Sequence, residues 1–377
     1  MDRRRFLKKA ALAAGMLAGA INPSAGAAAK KDKSAQIPGG RSGIIDFYCH
    51  FSSMGVIDYL EKAGGPSPHV FRNLFANTPT LIDVKKRLEL MDAQGIERSV
   101  LVPLPWIETA PPVHGDPEKC LRAAEILNNT LSDIAAHRPD RFSAVSLLPT
   151  ANADIMVAEF ERAIKELKMA GGFFVVGPTV KRPDHPDYET LYKMAAEMDV
   201  PLWLHPSRPP TYPDYVDEEM SKYQVWQALS WLEDSSAAMV RIVFAGIFDR
   251  YPELKLIIHH HGALVPLFAE RMQYGWDYFE QNTGRKQPTS ISAPYVEHFK
   301  NFYCDTATQG VSPQLLNMAA DFFGTDRVLF GSDAPMDATA GRAFTRDAIA
   351  SVSKMSVSEA QKTKIFTQNA QKLLKLG

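Results

Sequence analysis

Histidine and aspartate side chains follow four apolar segments of this chain. His50, His205 and Asp333 each stand at the end of a run of mostly apolar residues, and a fourth run leads into three consecutive histidines at 259–261. Short apolar runs of this kind are typical of strands that are buried on both faces. Imidazole nitrogens and carboxylate oxygens bind divalent metal ions. The four strand ends therefore predict one metal site to which several strands contribute.

The elements that must position these residues follow a repeating order. After residue 42, apolar strand segments alternate with amphipathic helical segments. The predicted fold class is α/β, a (β/α)8 TIM barrel over 42–377, in which the chemistry lies at the C-terminal mouth. The eight predicted strands are 43–50, 98–103, 142–148, 172–176, 201–205, 254–260, 302–306 and 328–333.

Three long segments leave predicted strands at that mouth. They cover 51–79, 103–116 and 206–217; the first contains proline and glycine, and the last is rich in proline. Loops at this end of a barrel commonly carry function. We expect these segments to form the pocket walls or a lid over the C-terminal mouth.

The last residues of the first predicted strand bear on the metal site. Residues two apart on a strand face the same way, so Tyr48 and His50 point to one side. Three roles are open for Tyr48: a weak fourth ligand, a hydrogen-bond partner of a metal-bound water, or a ring that fills space. We favour the second role, because a phenol with a pKa of about 10 ligates readily only after it loses its proton.

His50, His205 and Asp333 together form a mixed nitrogen and oxygen donor set. Such a set suits zinc and also tolerates manganese or iron. In the run 259–261, strand alternation allows either His260 alone, or the histidines on both sides of it, to face the pocket. The pattern does not choose between these arrangements, and at least one of the three histidines is structural.

The first residues read as an export signal rather than as part of the fold. RRRFLK at 3–8 has the twin-arginine pattern, an uncharged stretch follows at 10–21, and AGA at 25–27 resembles a cleavage site. We predict a twin-arginine signal peptide at 1–27, a disordered linker at 28–41 and a periplasmic location. The uncharged stretch is shorter than the roughly 20 residues of a membrane span. A formal net charge of −1 argues against nucleic-acid binding.

Several motifs of the chain resemble those of one enzyme family. They are FAGIFDRYPELKLIIHHHG at 244–262, LHP at 204–206, GSDAP at 331–335 and NAQKL at 369–373. With them the chain resembles the amidohydrolase-related family of aminocarboxymuconate semialdehyde decarboxylase, a branch of the amidohydrolase superfamily. The resemblance covers nearly all residues after 42.

This resemblance implies one divalent metal ion at the positions of Tyr48, His50, His205 and Asp333. The family has histidine where this chain has Tyr48, so the chain departs from the pattern there. The resemblance also implies that His260 is the catalytic histidine, a general acid and base, and that Asp333 links the metal to proton transfer. The two histidines beside His260 receive no role.

The resemblance implies nonoxidative decarboxylation or hydrolysis, and the leading hypothesis is decarboxylation of a small aromatic or unsaturated carboxylic acid. Two arginines could bind the carboxylate: Arg208 after the fifth strand, and Arg271 on the helix after the histidine run. The resemblance implies that Arg271 reaches the substrate of a neighbouring subunit, and therefore a homodimer. Trp106 could stack on an aromatic substrate, and Asp305 could orient a ligand. For all four residues the alternative is a structural role in ion pairs, loop packing or helix capping.

Two other functions stay open at this point. A metal-dependent hydrolase of a lactone or amide would use the same residues on the same fold. A metal-depleted periplasmic binding protein, or a degenerate enzyme, is favoured by Tyr48. It is disfavoured by the presence of His50, His205, His260 and Asp333. The sequence names neither the substrate nor the metal.

Overall fold

The computed structural model describes residues 43–64, 68–105, 110–285, 291 and 294–376. The predicted signal peptide and linker lie outside the described residues, and so does Trp106. Within the described ranges, no helix is both long enough and apolar enough to cross a membrane.

Short parallel strands form the centre of this structure, and nearly all of their residues are buried. Burial on both faces is expected when helices cover the outside of a parallel sheet and side chains fill its inside. The strands are β1 Ile44–Phe51, β2 Ile96–Pro103, β3 Phe142–Ala144, β4 Ser146–Leu147, β5 Gly172–Val176, β6 Leu202–Pro206, β7 Leu256–Ile258, β8 Tyr303–Asp305 and β9 Val328–Leu329. They form two sheets, with the orders β1-β2-β3 and β4-β5-β6-β7-β8-β9.

The predicted strand 142–148 is divided at Val145 into β3 and β4. β3 pairs with β2, and β4 pairs with β5. The backbone N–H of Val145 donates to the Leu101 carbonyl over 3.1 Å, and that of Ser146 donates to the Gly171 carbonyl over 2.9 Å. β3 and β4 together therefore occupy one strand position of the barrel and join the two sheets. All eight predicted strand positions are present.

Backbone hydrogen bonds also join the first strand to the segment after the last one. The N–H of Phe47 donates to the Phe330 carbonyl over 2.7 Å, and the N–H of Asp333 donates to the Tyr48 carbonyl over 3.0 Å. These bonds close the two sheets into one parallel barrel. The predicted (β/α)8 fold is confirmed.

The helices that cover the barrel carry local start and stop signals. Val84–Gln94, for example, begins after Asp83, whose carboxylate accepts from the Lys86 N–H, and ends at Gly95, which has φ of 70°. The α-helices are Met54–Lys62, Pro68–Asn77, Val84–Gln94, Pro111–His114, Pro117–His137, Ala153–Lys165, Glu189–Glu197, Trp231–Phe244, Ile247–Arg250, Val265–Thr283, Tyr295–Phe299, Pro313–Phe323, Arg342–Ser353, Glu359–Thr363 and Asn369–Leu374.

The segments at the mouth differ in structure. The first, 51–79, contains the helices Met54–Lys62 and Pro68–Asn77. After Pro206, the segment to residue 217 consists of turns and irregular backbone, and it contributes to the pocket described below. That these segments form a lid stays a prediction.

Candidate metal centre and active site

Strand β1 holds His50 in one orientation. Its Nδ1 lies 3.0 Å from the carbonyl oxygen of Pro103, which can only accept, so Nδ1 carries the proton and donates. The lone pair is then on Nε2. The buried Arg87 fixes the backbone at the same point, because its Nη2 donates to the His50 carbonyl over 2.5 Å.

Two further histidines are held in the same way. His205, at the end of β6, has its Nδ1 2.5 Å from the Pro206 carbonyl oxygen. His259 has its Nδ1 2.5 Å from Oδ2 of Asp305, a fully buried carboxylate at the end of β8. His50, His205 and His259 place ligand atoms within 4.8 Å of one another. Because each Nδ1 is engaged by an oxygen, Nε2 is the nitrogen that each ring offers.

Asp333 adds a carboxylate to these imidazoles. Its Oδ1 lies 3.3 Å from Nε2 of His50 and 3.3 Å from Nε2 of His259. Two donors bound to zinc at about 2.0 Å in tetrahedral geometry lie roughly 3.3 Å apart. The other oxygen, Oδ2, accepts from Nε2 of Gln309 over 2.9 Å and lies 3.8 Å from Nε2 of His260. The donors are buried, and their chemistry and spacing fit a divalent metal ion.

The start of β1 fixes the position of Asp333. Ser332 donates through Oγ to Oδ2 of Asp46 over 2.6 Å, and its N–H donates to Oδ1 of the same carboxylate over 3.0 Å. Burial raises the pKa of Asp46 to about 6, against the opposing effect of the Ser332 hydrogen bonds. This clamp, together with the bond from the Asp333 N–H to Tyr48, places the carboxylate at the mouth.

Strand alternation does not continue through the three histidines. β7 ends at Ile258, and His260, His261, Gly262 and Ala263 then adopt positive φ of 59°, 48°, 84° and 57°. The left-handed backbone lets neighbouring side chains share a side. The rings of His259 and His260 lie 3.8 Å apart and both approach Asp333, whereas His261 is in neither group of possible metal ligands among the described residues. Neither arrangement that alternation allowed is therefore observed.

Burial and the neighbouring charges determine which residues of this cluster are protonated. Burial, together with the charge on His259, lowers the pKa of His205 and that of His260. Burial acts to raise the pKa of Asp333, but the histidines, His259 first, hold it well below the usual range. Burial acts to lower the pKa of His259, but the carboxylates of Asp305 and Asp333 outweigh it and raise that pKa to about 9. Near neutral pH, Asp333 is thus a carboxylate and His205 and His260 are neutral, as ligation or proton acceptance requires. His259 is protonated and would bind a metal ion only in exchange for a proton.

Tyr48 packs directly on this cluster. Its ring stacks on the imidazole of His259, with centroids 3.7 Å apart and planes 12° apart. Its hydroxyl is buried without a hydrogen-bond partner among the described residues. Burial, and then the charges of Asp305 and Asp333, raise the pKa of Tyr48 well above its ordinary value, so the phenol keeps its proton here. The ring fills space against His259, and a hydrogen bond from the hydroxyl to a bound water stays a prediction.

A pocket opens above the donors. Trp231, half-buried at the start of its helix, forms one wall: its ring lies 5.3 Å from that of His205 and 6.2 Å from that of His260. The walls are mostly apolar, as is usual for sites that bind small molecules. The lining residues are His50, Leu104, Pro105, His205, Ser207, Arg208, Pro209, Pro210, Trp226, Gln227, Trp231, Asp333 and Met336.

The two predicted substrate-binding arginines lie in different places. Arg208 lines the pocket, but its Nη2 donates to Asp234 over 2.6 Å and to Glu233 over 3.3 Å. Arg271 is exposed on the outer face of Val265–Thr283 and does not line the pocket. Any role of Arg271 at a substrate would therefore need a second copy of the chain.

Three residues of the site were not assigned from the sequence. The motif resemblance points to His260 rather than to His259, and the one sequence signal for His259 is the aspartate that ends the adjacent strand β8. Trp231 begins a helix far along the chain from His205, and Gln309 stands in a loop. Neither of these two residues carries a pattern that points to the mouth of a barrel.

The fold and the donor set define a parallel α/β barrel with a metal centre at its C-terminal mouth. A family model described as amidohydrolase matches residues 45–376. The chain belongs to this family, and the resemblance drawn from its motifs is confirmed.

Relatives of known activity lie within the same family. The chain is 28% identical over 306 residues to gamma-resorcylate decarboxylase of Rhizobium radiobacter, which covers 78% of this chain and 88% of that protein. Among solved structures, 5-carboxyvanillate decarboxylase of Sphingomonas paucimobilis superposes with a TM-score of 0.74 at 20% identity, covering 89% of this chain and 99% of that chain. This likeness supports the fold.

A third comparison bears on the metal. A dihydroxybenzoic acid decarboxylase of Polaromonas sp. JS666, solved with bound manganese and the inhibitor 2-nitroresorcinol, matches with a TM-score of 0.70 at 25% identity. It covers 89% of this chain and 98% of that chain. The buried donors around Asp333 give this chain the residues for a divalent metal as well.

Proposed function

We propose that this protein is a metal-dependent nonoxidative decarboxylase, a carbon–carbon lyase, that acts on a small aromatic carboxylic acid. One observation carries the proposal: the buried donors His50, His205 and Asp333 line the base of a pocket whose walls are apolar and aromatic. A carboxylate bound at these donors would therefore place an attached flat ring against the apolar walls. The activities named for the relatives, on resorcylate, carboxyvanillate and dihydroxybenzoic acid, support the same reaction class.

We propose one divalent ion, zinc, held by His50, His205 and Asp333. The mixed nitrogen and oxygen donors suit zinc, and manganese is the alternative that the Polaromonas enzyme supports. When bound, such an ion supplies positive charge to the substrate carboxylate or to an oxygen beside it.

His260 and Asp333 are the groups that can move the proton. Decarboxylation breaks the bond between a ring carbon and the carboxylate carbon, and the electron pair stays on the ring carbon, which then takes one proton as CO2 leaves. Nε2 of His260 lies 3.8 Å from Oδ2 of Asp333, and the hydrogen bond from Gln309 fixes that oxygen. Since both groups lack this proton near neutral pH, the pair would first take one from water and then deliver it to the ring carbon, so each turnover consumes one proton.

The substrate ring would lie against Trp231. The indole stands beside His205 and His260, and offset or edge-to-face contacts between aromatic rings are favourable at such separations. Arg208 faces the same pocket and is the candidate cation for a substrate substituent, with part of its guanidinium held by Asp234.

We also propose a homodimer that uses the helix Val265–Thr283. Its outer face exposes Leu267, Phe268, Tyr274 and Tyr278, an unusual amount of apolar surface for one helix. Arg271 lies on the same face. Sedimentation of the purified protein, compared with a Tyr278→Glu variant, tests this proposal: a dimer that the substitution dissociates is the expected result.

Export to the periplasm is a further proposal, and it rests on the sequence at 3–8, 10–21 and 25–27. A fusion of residues 1–41 to a reporter should be exported, and replacement of the arginines at 3–5 by lysine should stop it. Export that survives the replacement would contradict the twin-arginine assignment.

The reaction is tested by loading the purified protein with zinc or manganese and incubating it with ortho-hydroxylated benzoic acids, including 2,6-dihydroxybenzoate. We expect CO2 and the decarboxylated phenol from at least one acid, with loss of both products on metal removal. His260→Asn should abolish turnover, whereas the matched variant His261→Asn, also at a buried left-handed position, should retain it.

The same assay separates the alternatives. Ring-opening of aromatic lactones without CO2 release would identify a hydrolase. Saturable binding of the acids without turnover, by a protein that does not take up metal, would identify a binding protein. Either result would overturn the proposed function.

A further inference from the structure

The first strand offers one imidazole to the metal centre, because Tyr48 stands where the family pattern has a histidine. We propose that His259 is a metal ligand of this chain and supplies the second strand-end imidazole that β1 lacks. The inference rests on the proposed metal dependence, but it concerns the ligand set rather than the reaction.

The first argument is the unused nitrogen of His259. Its side chain is fully buried, and its Nε2 has no hydrogen-bond partner among the described residues. Native structures seldom keep a buried polar atom without a hydrogen bond unless it has another role. Here the atom faces Oδ1 of Asp333 at 3.3 Å, the same separation that His50 Nε2 shows to that oxygen.

Second, His259 belongs to both groups of possible metal ligands. One group is His50, His205 and His259, and the other is His259, His260 and Asp333. His259 is the member that the two groups share. An ion that contacts the two proposed imidazoles and the carboxylate would therefore lie within reach of His259.

The third argument is how the ring is held. Asp305 Oδ2 accepts from Nδ1 over 2.5 Å, and its other oxygen accepts from the Ala307 N–H over 2.9 Å. A carboxylate on the far nitrogen of an imidazole is the usual support of a metal-bound histidine, since it fixes the tautomer and makes the ligating nitrogen more basic. Asp305 thus orients His259 toward the centre.

Tyr48 completes the support from the other face. Its ring lies flat on the imidazole at 3.7 Å, so the two side chains occupy adjoining space on one side of the mouth. The aromatic residue at 48 and the histidine at 259 form one packed unit. In this unit Tyr48 holds the ligand ring without contributing a nitrogen of its own.

The competing explanation is that His259 is an imidazolium that bridges the two buried carboxylates of Asp305 and Asp333. The number of imidazoles around a bound zinc ion distinguishes the two explanations of His259. Zinc K-edge absorption of the fully loaded protein should show three imidazoles, from His50, His205 and His259. Two imidazoles in the unsubstituted protein would overturn the proposal without any variant.

Substitution of each histidine in turn shows which one supplies the third imidazole. His259→Asn should leave two imidazoles and weaken zinc binding, measured by competition with a chelator, by 100-fold or more. His260→Asn and His261→Asn should both keep three imidazoles, with zinc affinity changed less than threefold. If His259→Asn keeps three imidazoles or the original affinity, the third ring belongs to another residue and the assignment is wrong.

Asp305→Asn serves if His259→Asn does not fold. It should keep three imidazoles while zinc affinity falls by about 10–100-fold, as expected for loss of a carboxylate behind a ligand. An unchanged affinity would contradict the support by Asp305. These readouts need no substrate, so they are independent of the decarboxylase assay. Three imidazoles in a protein that releases no CO2 would refute only the proposed function. Two imidazoles in an active decarboxylase would refute only the role of His259.

Discussion

Replacing Ser332 by alanine should weaken the fold and the metal centre together. Ser332 Oγ donates to the Asp46 carboxylate over 2.6 Å and accepts from the Ala334 N–H over 3.0 Å. Both partners are buried, at 3% and 1% exposed. Removing the hydroxyl leaves a carboxylate oxygen and an N–H without a partner, at about 1–3 kcal/mol each. The bond from the Ser332 N–H to the other oxygen of Asp46 stays. The free energy of unfolding should therefore fall by the sum of the two losses, about 2–6 kcal/mol.

The same change should lower metal affinity, because Ser332 precedes Asp333 and holds it against β1. We expect a loss of about tenfold, the lower end for removal of a group that supports a ligand. Urea unfolding followed by circular dichroism measures the first effect, and chelator competition measures the second. Both are measured on the zinc-free and zinc-loaded protein, so that ligand-linked stabilisation is separated from the fold itself.

Ser146→Ala is the matched control. This serine is also fully buried, but its Oγ donates to the neutral Gly171 carbonyl over 3.0 Å, and that carbonyl also accepts from the Ser146 N–H. Its loss should cost about 1 kcal/mol and leave metal affinity unchanged. Equal destabilisation by the two substitutions, or a Ser332→Ala protein with unchanged metal affinity, would refute the clamp between Asp46 and Asp333.

Three further changes test other parts of the site. His205→Ala should reduce the metal content from about one ion per chain to near zero and abolish CO2 release; a full metal complement by mass spectrometry would contradict its assignment. Trp231→Ala should raise KM about tenfold, since an aromatic contact contributes about 0.5–1.5 kcal/mol, and Trp231→Phe should recover most of it. Gln309→Ala should lower kcat by about 10–100-fold with metal content unchanged, because the hydrogen bond to the Asp333 carboxylate contributes about 1.5–3 kcal/mol. Loss of the metal would show that Gln309 acts on metal binding instead.

The barrel could be predicted because its strands are short, buried and separated by helices. Such strands read as continuous apolar runs, and β1, β2, β5 and β6 lie within one or two residues of the predicted bounds. The division of 142–148 into β3 and β4 could not be predicted. It depends on how Val145 hydrogen-bonds between two neighbouring strands, and the residue types of the run FSAVSLL mark no break at Val145.

The donors at strand ends could also be predicted, because a parallel barrel brings such residues to one mouth. The choice within 259–261 could not. Alternation holds only inside a strand, and β7 ends before His259, so left-handed backbone decides where the rings point. Support by Asp305 and Gln309 depends on contacts between distant segments, which local patterns do not encode.

Anomalous diffraction at the metal edge, from crystals of the protein grown with zinc and an aromatic acid, tests the central claim most directly. One strong peak is expected among Nε2 of His50, Nε2 of His205 and the carboxylate of Asp333, with the acid's ring against Trp231. A peak elsewhere, or fully ordered side chains with no peak between them, would contradict it.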